Sequence, residues 1–131
     1  MAAKGLTEAQ RAFIREPNYA VVTTLRADGS PHSTVAWVDE EGGKILLNTT
    51  LHRAKYRHLE HDPRVSVTVV APDGYHWVAM SGTVTMTTDG ALDDIEHLSW
   101  KYDGHAFRAL HEGEVRVSAR FVPDHVTAYD V

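Results

Sequence analysis

The chain has 131 residues, no cysteine and a formal charge of −5 at pH 7 with its 9 histidines neutral. That length fits a single domain burying roughly two thirds of its unfolded surface, and the missing thiols exclude cysteine catalysis, iron–sulfur clusters and zinc–thiolate sites. The acidic balance argues against a nucleic-acid partner, while no run approaches the ~20 apolar residues of a membrane span and MAAKGLTEAQ lacks a signal peptide's apolar core, so a cytoplasmic protein without a membrane partner is expected.

Thr7 precedes an amphipathic stretch that has Glu8 in its first turn and stops before Pro17, which predicts a helix to Arg15. Tyr19 to Arg26 and His32 to Asp39 then read as strands, joined through Asp28-Gly29 in a tight hairpin. A second hairpin turns at Glu41-Gly42-Gly43 and returns along Lys44 to Asn48. A helix is expected from about Leu51 to His61, ended by Asp62-Pro63, with a strand over Arg64 to Val70.

Tyr75 to Thr87 is long for one strand, and Gly82 inside it predicts a bulge or bend. Helices are expected over Ala91 to Tyr102 and Ala106 to Glu112. Glu114 to Phe121 alternates apolar and polar residues, and His125 to Asp130 is the last strand. About seven antiparallel strands with helices inserted at three places predict a mainly β fold, a small closed or partly closed barrel. No G-x-G-x-x-G or G-x-x-x-x-G-K-[ST] follows any strand, so neither the Rossmann nor the P-loop solution to phosphate binding applies.

The segment from Asn48 to Val69 carries the strongest chemical signal. A strand running through Asn48, Thr49 and Thr50 into a helix that begins with Arg53 and Lys55 has the makings of a phosphate cradle, with the threonines supplying hydroxyls and an N-cap. Arg53 and Lys55 are two apart and do not share a helix face, so one phosphate can take both only if Arg53 lies in the first turn and Lys55 reaches over. The same residues also fit a solvated amphipathic helix.

The other constellations are weaker. The histidines include no H-E-x-x-H and no two-His-one-carboxylate spacing, so no metal site is expected. There is no G-x-S-x-G elbow, and Asp93-Asp94 and Glu40-Glu41 are adjacent residues that point apart. Trp37, Trp77 and Met80 fall on strands, where they are either core or the wall of a slot for a flat ring.

Three stretches together carry a family resemblance: the hairpin LRADGSPHSTVAWVDEEGGKILLNTT; the helix and strand marked by Arg53, Lys55, Arg57, Leu59, Asp62, Pro63, Arg64, Val65 and Ser66; and the strand YHWVAMSGTV. Nearly the whole chain resembles the flavin/deazaflavin split β-barrel superfamily that includes pyridoxamine 5′-phosphate oxidase. Within it, the short length and the R-x-K-x-R helix most resemble reductases that use the deazaflavin coenzyme F420. The resemblance implies a homodimer with two cofactors in grooves between the subunits and a small electron-poor substrate that receives hydride. It also implies that Asn48, Thr49, Thr50, Arg53 and Lys55 hold the phosphate or anionic oligoglutamate tail. Ser33, Thr34, Val35, Ala36 and Trp37 would run along the ring, and Trp77 and Met80 would come from the partner.

An FMN-dependent oxidoreductase of the same fold and a cofactor carrier without turnover remain the alternatives, and no side-chain acid or base is nominated. Two departures bear on the choice. The ending VRVSARFVPDHV lacks the W-x-x-x-R-L-x-P through which pyridoxamine phosphate oxidases complete their substrate site, which disfavours vitamin B6 oxidation. Val35 stands where many deazaflavin-dependent relatives have proline.

Overall fold

A computed structural model describes residues 5–131. Helix α1 (Glu8–Arg15) starts at a capping box, in which the Gln10 amide N–H donates to Thr7 Oγ1 at 3.1 Å and the Thr7 N–H donates to Gln10 Oε1 at 3.0 Å. Strands β1 (Ala20–Leu25) and β2 (Pro31–Ala36) form the first hairpin, with Gly29 at φ 85° and Asp28 accepting from the Ser30 N–H. The chain then crosses into β3 (Asp39–Glu41) and β4 (Lys44–Thr50), and α2 (Ala54–His61) leads back to β5 (Arg64–Val70).

Five strands form one antiparallel sheet in the order β2-β1-β5-β6-β9, with β6 (Trp77–Thr83) and β9 (His125–Tyr129) completing it. The other sheet runs β3-β4-β8-β7, from β7 (Thr85–Thr87) and β8 (Arg116–Phe121). Between the sheets lies the main core, where Val22, Val67, Val78 and Met80 of the first meet Ile45, Leu47, Ala119 and Phe121 of the second. A smaller cluster of Leu46, Ile95 and Leu98 seats α3 (Ala91–Tyr102) on the outside of the second sheet, beside Trp37, Tyr102 and Phe107. The two sheets are not closed into one continuous barrel; they form its split variant, as the mainly β pattern predicts. Among the described residues no helix is long and apolar enough to cross a membrane.

Three expectations change. The long strand over Tyr75 to Thr87 is two strands in different sheets, broken at Val84, whose N–H donates to Pro63 O at 3.0 Å. Gly82 is no bulge, since it pairs in register with Val65; it is a close approach, where a Cβ would lie 2.8 Å from Phe121 Cδ2. The helix expected over Ala106 to Glu112 is irregular chain. Gly104, at φ 73°, ends α3, and side chains of α3 then tie the outgoing backbone: Ser99 Oγ donates to His105 O, and Glu96 Oε2 accepts from the Phe107 N–H.

Candidate functional site

Strand β4 delivers the site, but not as the expected cap. Thr49 and Thr50 remain inside the strand, opposite Val117 and Arg116 of β8, because the ladder continues to the end of β4. Leu51 and His52 turn the chain, and the N-cap of α2 is Arg53, whose side chain makes no capping hydrogen bond. Arg53 therefore stands at the start of the helix with its side chain free to project, and Lys55 follows within the first turn.

These residues border a cleft of ≈ 260 Å³ between β2, β4, α3 and the irregular segment after α3. Its floor carries Asn48, Thr49, Arg53, Lys55 and Arg116, and its walls are Val35, Ala36, Trp37, Ile95, Leu98, Phe107 and Ala109. Trp37 is fixed by stacking on Tyr102, with centroids 5.6 Å apart and planes 5° from parallel, while Phe107 meets its edge at 6.4 Å. The result is a slot, apolar on its sides and cationic at its base.

The base is short of negative charge. Lys55 is 9% exposed and makes no hydrogen bond or ion pair among the described residues. Burial, reinforced by the like charges of Arg53 and Arg116, pushes its ammonium down to about 8. Arg116 is equally buried, and burial lowers its pKa against the opposing pull of Glu114. Thr49 is 4% exposed, and its Oγ1 is buried without a hydrogen-bond partner among the described residues. An orphaned hydroxyl beside three cations that share one carboxylate among the described residues is a donor set suited to an oxyanion, so the residues fit the phosphate of a flavin or deazaflavin. A larger hollow of ≈ 370 Å³ near Lys44 and Thr85 lacks this chemistry, because its Arg120 is already paired with Asp94 at 2.9 Å.

Seven of the residues singled out from sequence meet here: Val35, Ala36, Trp37, Asn48, Thr49, Arg53 and Lys55. The Asn48 side chain is already engaged by its neighbours. Its amide is spent on Ala91 O at 2.9 Å, Ser118 Oγ at 3.2 Å and the Arg116 Nε–H at 2.8 Å, so it orients Arg116. Thr50 and Arg53 line a neighbouring cleft of ≈ 330 Å³ with His52, His111 and Glu114. Ser33 lies on the outer face of the five-stranded sheet, its Oγ 2.8 Å from Thr23 Oγ1, while Thr34 turns inward with an unpartnered Oγ1.

Trp77 and Met80 are not brought to this cleft. Trp77 stacks on Tyr129 at the far end of the sheet, with centroids 6.3 Å apart. Met80 is 2% exposed, with its side chain in the core between the sheets. Arg57 and Arg64 lie outside the site, the first donating to His52 O at 2.9 Å and the second to Asp62 Oδ2 at 2.7 Å. Sequence reasoning missed Arg116, Phe107 and the α3 wall. Arg116 sits on a strand whose alternation suggested that its polar side faced water, and only the β4–β8 pairing puts it beside Thr50.

The sequence profile of the pyridoxamine 5′-phosphate oxidase family matches residues 6–128. The chain belongs to this family. Among solved structures, an F420 reductase superposes on this family member with a TM-score of 0.82 at 25% identity, covering 93% of this chain and 98% of its own. A conserved hypothetical protein from Mycobacterium tuberculosis superposes at 0.78 with 22% identity, covering 97% of this chain and 86% of its own. General Stress Protein 26 from Bacillus anthracis superposes at 0.71 with 19% identity, covering 91% and 89%. The latter two likenesses show the fold alone. The family and the F420 reductase together place the chain in the flavin/deazaflavin oxidoreductase superfamily.

Proposed function

We propose that this family member is a coenzyme F420-dependent oxidoreductase acting on a small electron-poor organic substrate. The observation that carries the reading is the orphaned Thr49 hydroxyl among Arg53, Lys55 and Arg116 at the base of an apolar slot. When bound, the deazaflavin supplies hydride transfer at its ring. Arg53, Lys55 and Arg116 would hold the anionic group, Asn48 would keep Arg116 in place, and Trp37 would bound the ring. The walls exclude water, and no side chain in the cleft is given the role of acid or base. The likeness to an F420 reductase favours the deazaflavin over FMN, and the ending without W-x-x-x-R-L-x-P disfavours vitamin B6 oxidation.

The reading includes a homodimer. Its support is the outer face of the five-stranded sheet, where two rows of side chains run across all five strands: Ser33, Thr23, Ser66, Ser81 and His125, then Val35, Val21, Thr68, Ala79 and Thr127. Neither row contains an Asp, Glu, Lys or Arg, although the chain as a whole is 24% charged. Val35 belongs both to this face and to the cleft, so a second copy docked there would adjoin the slot.

The test of turnover is stopped-flow oxidation of the bound reduced deazaflavin by a panel of quinones, enones and tetrapyrroles. Acceleration by a member of the panel is expected; inertness to all of them would favour a carrier.

A further inference from the structure

The Arg116 guanidinium is held unequally. Its Nε donates to Asn48 Oδ1 at 2.8 Å, whereas its Nη1 reaches Glu114 Oε1 only at 3.3 Å. Where the carboxylate is sheltered elsewhere in the chain the contact is shorter, 2.8 Å from Arg11 and Arg15 to Glu40 and 2.9 Å from Arg120 to Asp94, and contacts as long as Arg120–Glu41 at 3.4 Å involve exposed carboxylates. The other Glu114 oxygen is no better satisfied, accepting from the His111 N–H at 3.4 Å. Yet the pair is well inside, with side-chain exposures of 8% for Arg116 and 14% for Glu114. A sheltered ion pair this long gains little from its hydrogen bonds and leaves both partners ready for better ones.

Position adds a second argument. Glu114 lines the neighbouring cleft together with Arg53, while its carboxylate reaches Arg116, which lines the slot. It therefore stands on the partition between the two. The side chain is carried by irregular chain preceding β8, and the local tie is a turn in which the Glu114 N–H donates to His111 O at 3.1 Å. Arg53, Lys55 and Arg116 bring three positive charges to the site, and among the described residues Glu114 is the one carboxylate in contact with any of them.

We propose that Glu114 is a resident counterion that determines which anions the slot accepts: its carboxylate occupies Arg116 until the oxyanion of a phosphate-bearing ligand displaces it. This rests on the cleft being an anion site. Displacement costs the ligand part of its binding energy, and the released carboxylate then repels any further negative charge leaving toward the neighbouring cleft. Glu114 thus discriminates by the charge crowded onto Arg116 itself, most strongly against directly adjacent anionic groups such as those of a pyrophosphate, and leaves charges carried away from the partition on a longer tail unpenalised. It also couples occupancy to the His111–Glu114 turn, since freeing the carboxylate removes one of that turn's two ties.

The test uses inorganic phosphate and pyrophosphate as probes, titrated calorimetrically into the native protein, Glu114→Gln and Lys55→Ala. Glu114→Gln is expected to bind phosphate about five- to tenfold tighter than native, with a larger gain for pyrophosphate. Phosphate should also speed amide exchange at His111, whose N–H donates to the Glu114 carboxylate, in the native protein, with a smaller effect in Glu114→Gln, where no charged pair is displaced. Equal or weaker phosphate binding by Glu114→Gln would overturn the proposal. If binding still depends on Lys55 in that event, the anion site stands and only the counterion role falls. Absent binding, or binding that neither substitution alters, would overturn both.

Discussion

Lys55 concentrates the conflict between stability and binding. A lysine normally titrates near 10.5, and burial beside Arg53 and Arg116 lowers this one to about 8. For a base, a depressed folded-state pKa means that the charged form is disfavoured by folding. The penalty is full below about 8 and fades as pH rises from there toward 10.5, so the ligand-free protein gains stability over that window. At neutral pH it is on the order of 3 kcal/mol. Lys55→Met should therefore raise the denaturant midpoint of the ligand-free protein, and an unchanged midpoint would mean the ammonium is better solvated than its burial implies. An anion in the slot reverses the effect by raising the lysine's pKa. The contribution of Lys55 to ligand binding should then be independent of pH below about 8 and weaken above it, by at most tenfold per pH unit, as calorimetry of native protein against Lys55→Met across that range would reveal. Lys55→Ala should weaken cofactor binding by about 1.5 to 3 kcal/mol, the range for hydrogen bonds to charged groups.

At the scale of elements, the molecule depends on where the chain changes sheets. Gly82 lies against Phe121 and Val122 O just before the crossing at Val84, with a would-be Cβ at 2.8 Å and 2.9 Å from them. Gly82→Ala should cost about 1 to 3 kcal/mol of stability, measured by urea denaturation, as expected for overpacking against a side chain and a carbonyl. Loss of less than that would show that β8 can shift away. Much of the element order was legible because local signals and tertiary structure agree: Thr7 caps α1, Asp28-Gly29 turns the first hairpin, and Asp62-Pro63 separates α2 from β5. The cradle was legible in its residues but not in its geometry. Whether Thr49 and Thr50 cap a helix or pair in a strand is decided by β8, almost seventy residues away, and no local pattern reports that. The same distance hid Arg116. Its neighbours Ser118 and Arg120 looked solvent-facing, yet α3 covers them and Asp94 bonds both, at 2.6 Å and 2.9 Å. The segment after Gly104 has helix-forming residues but takes its course from the ties to Ser99 and Glu96.

At the scale of the whole molecule, the proposal makes one protomer incomplete. The two uncharged rows on the outer face of the five-stranded sheet are where a second copy is expected, and Val35 links them to the slot. Val21 lies between Val35 and Thr68 in its row and points away from the core. Val21→Arg should leave the circular dichroism spectrum unchanged while converting the dimer to monomer in sedimentation, because burying an unpaired guanidinium at a packed interface is strongly unfavourable. A variant that remains dimeric would place the interface elsewhere. The central claim is that the slot above Arg53, Lys55 and Arg116 is a deazaflavin site, and the most direct measurement is a binding titration of coenzyme F420 against FMN for the native protein and Lys55→Ala. Micromolar or tighter binding of F420 that exceeds FMN and falls in the variant is the result expected; retention of FMN with no measurable affinity for F420 would contradict it.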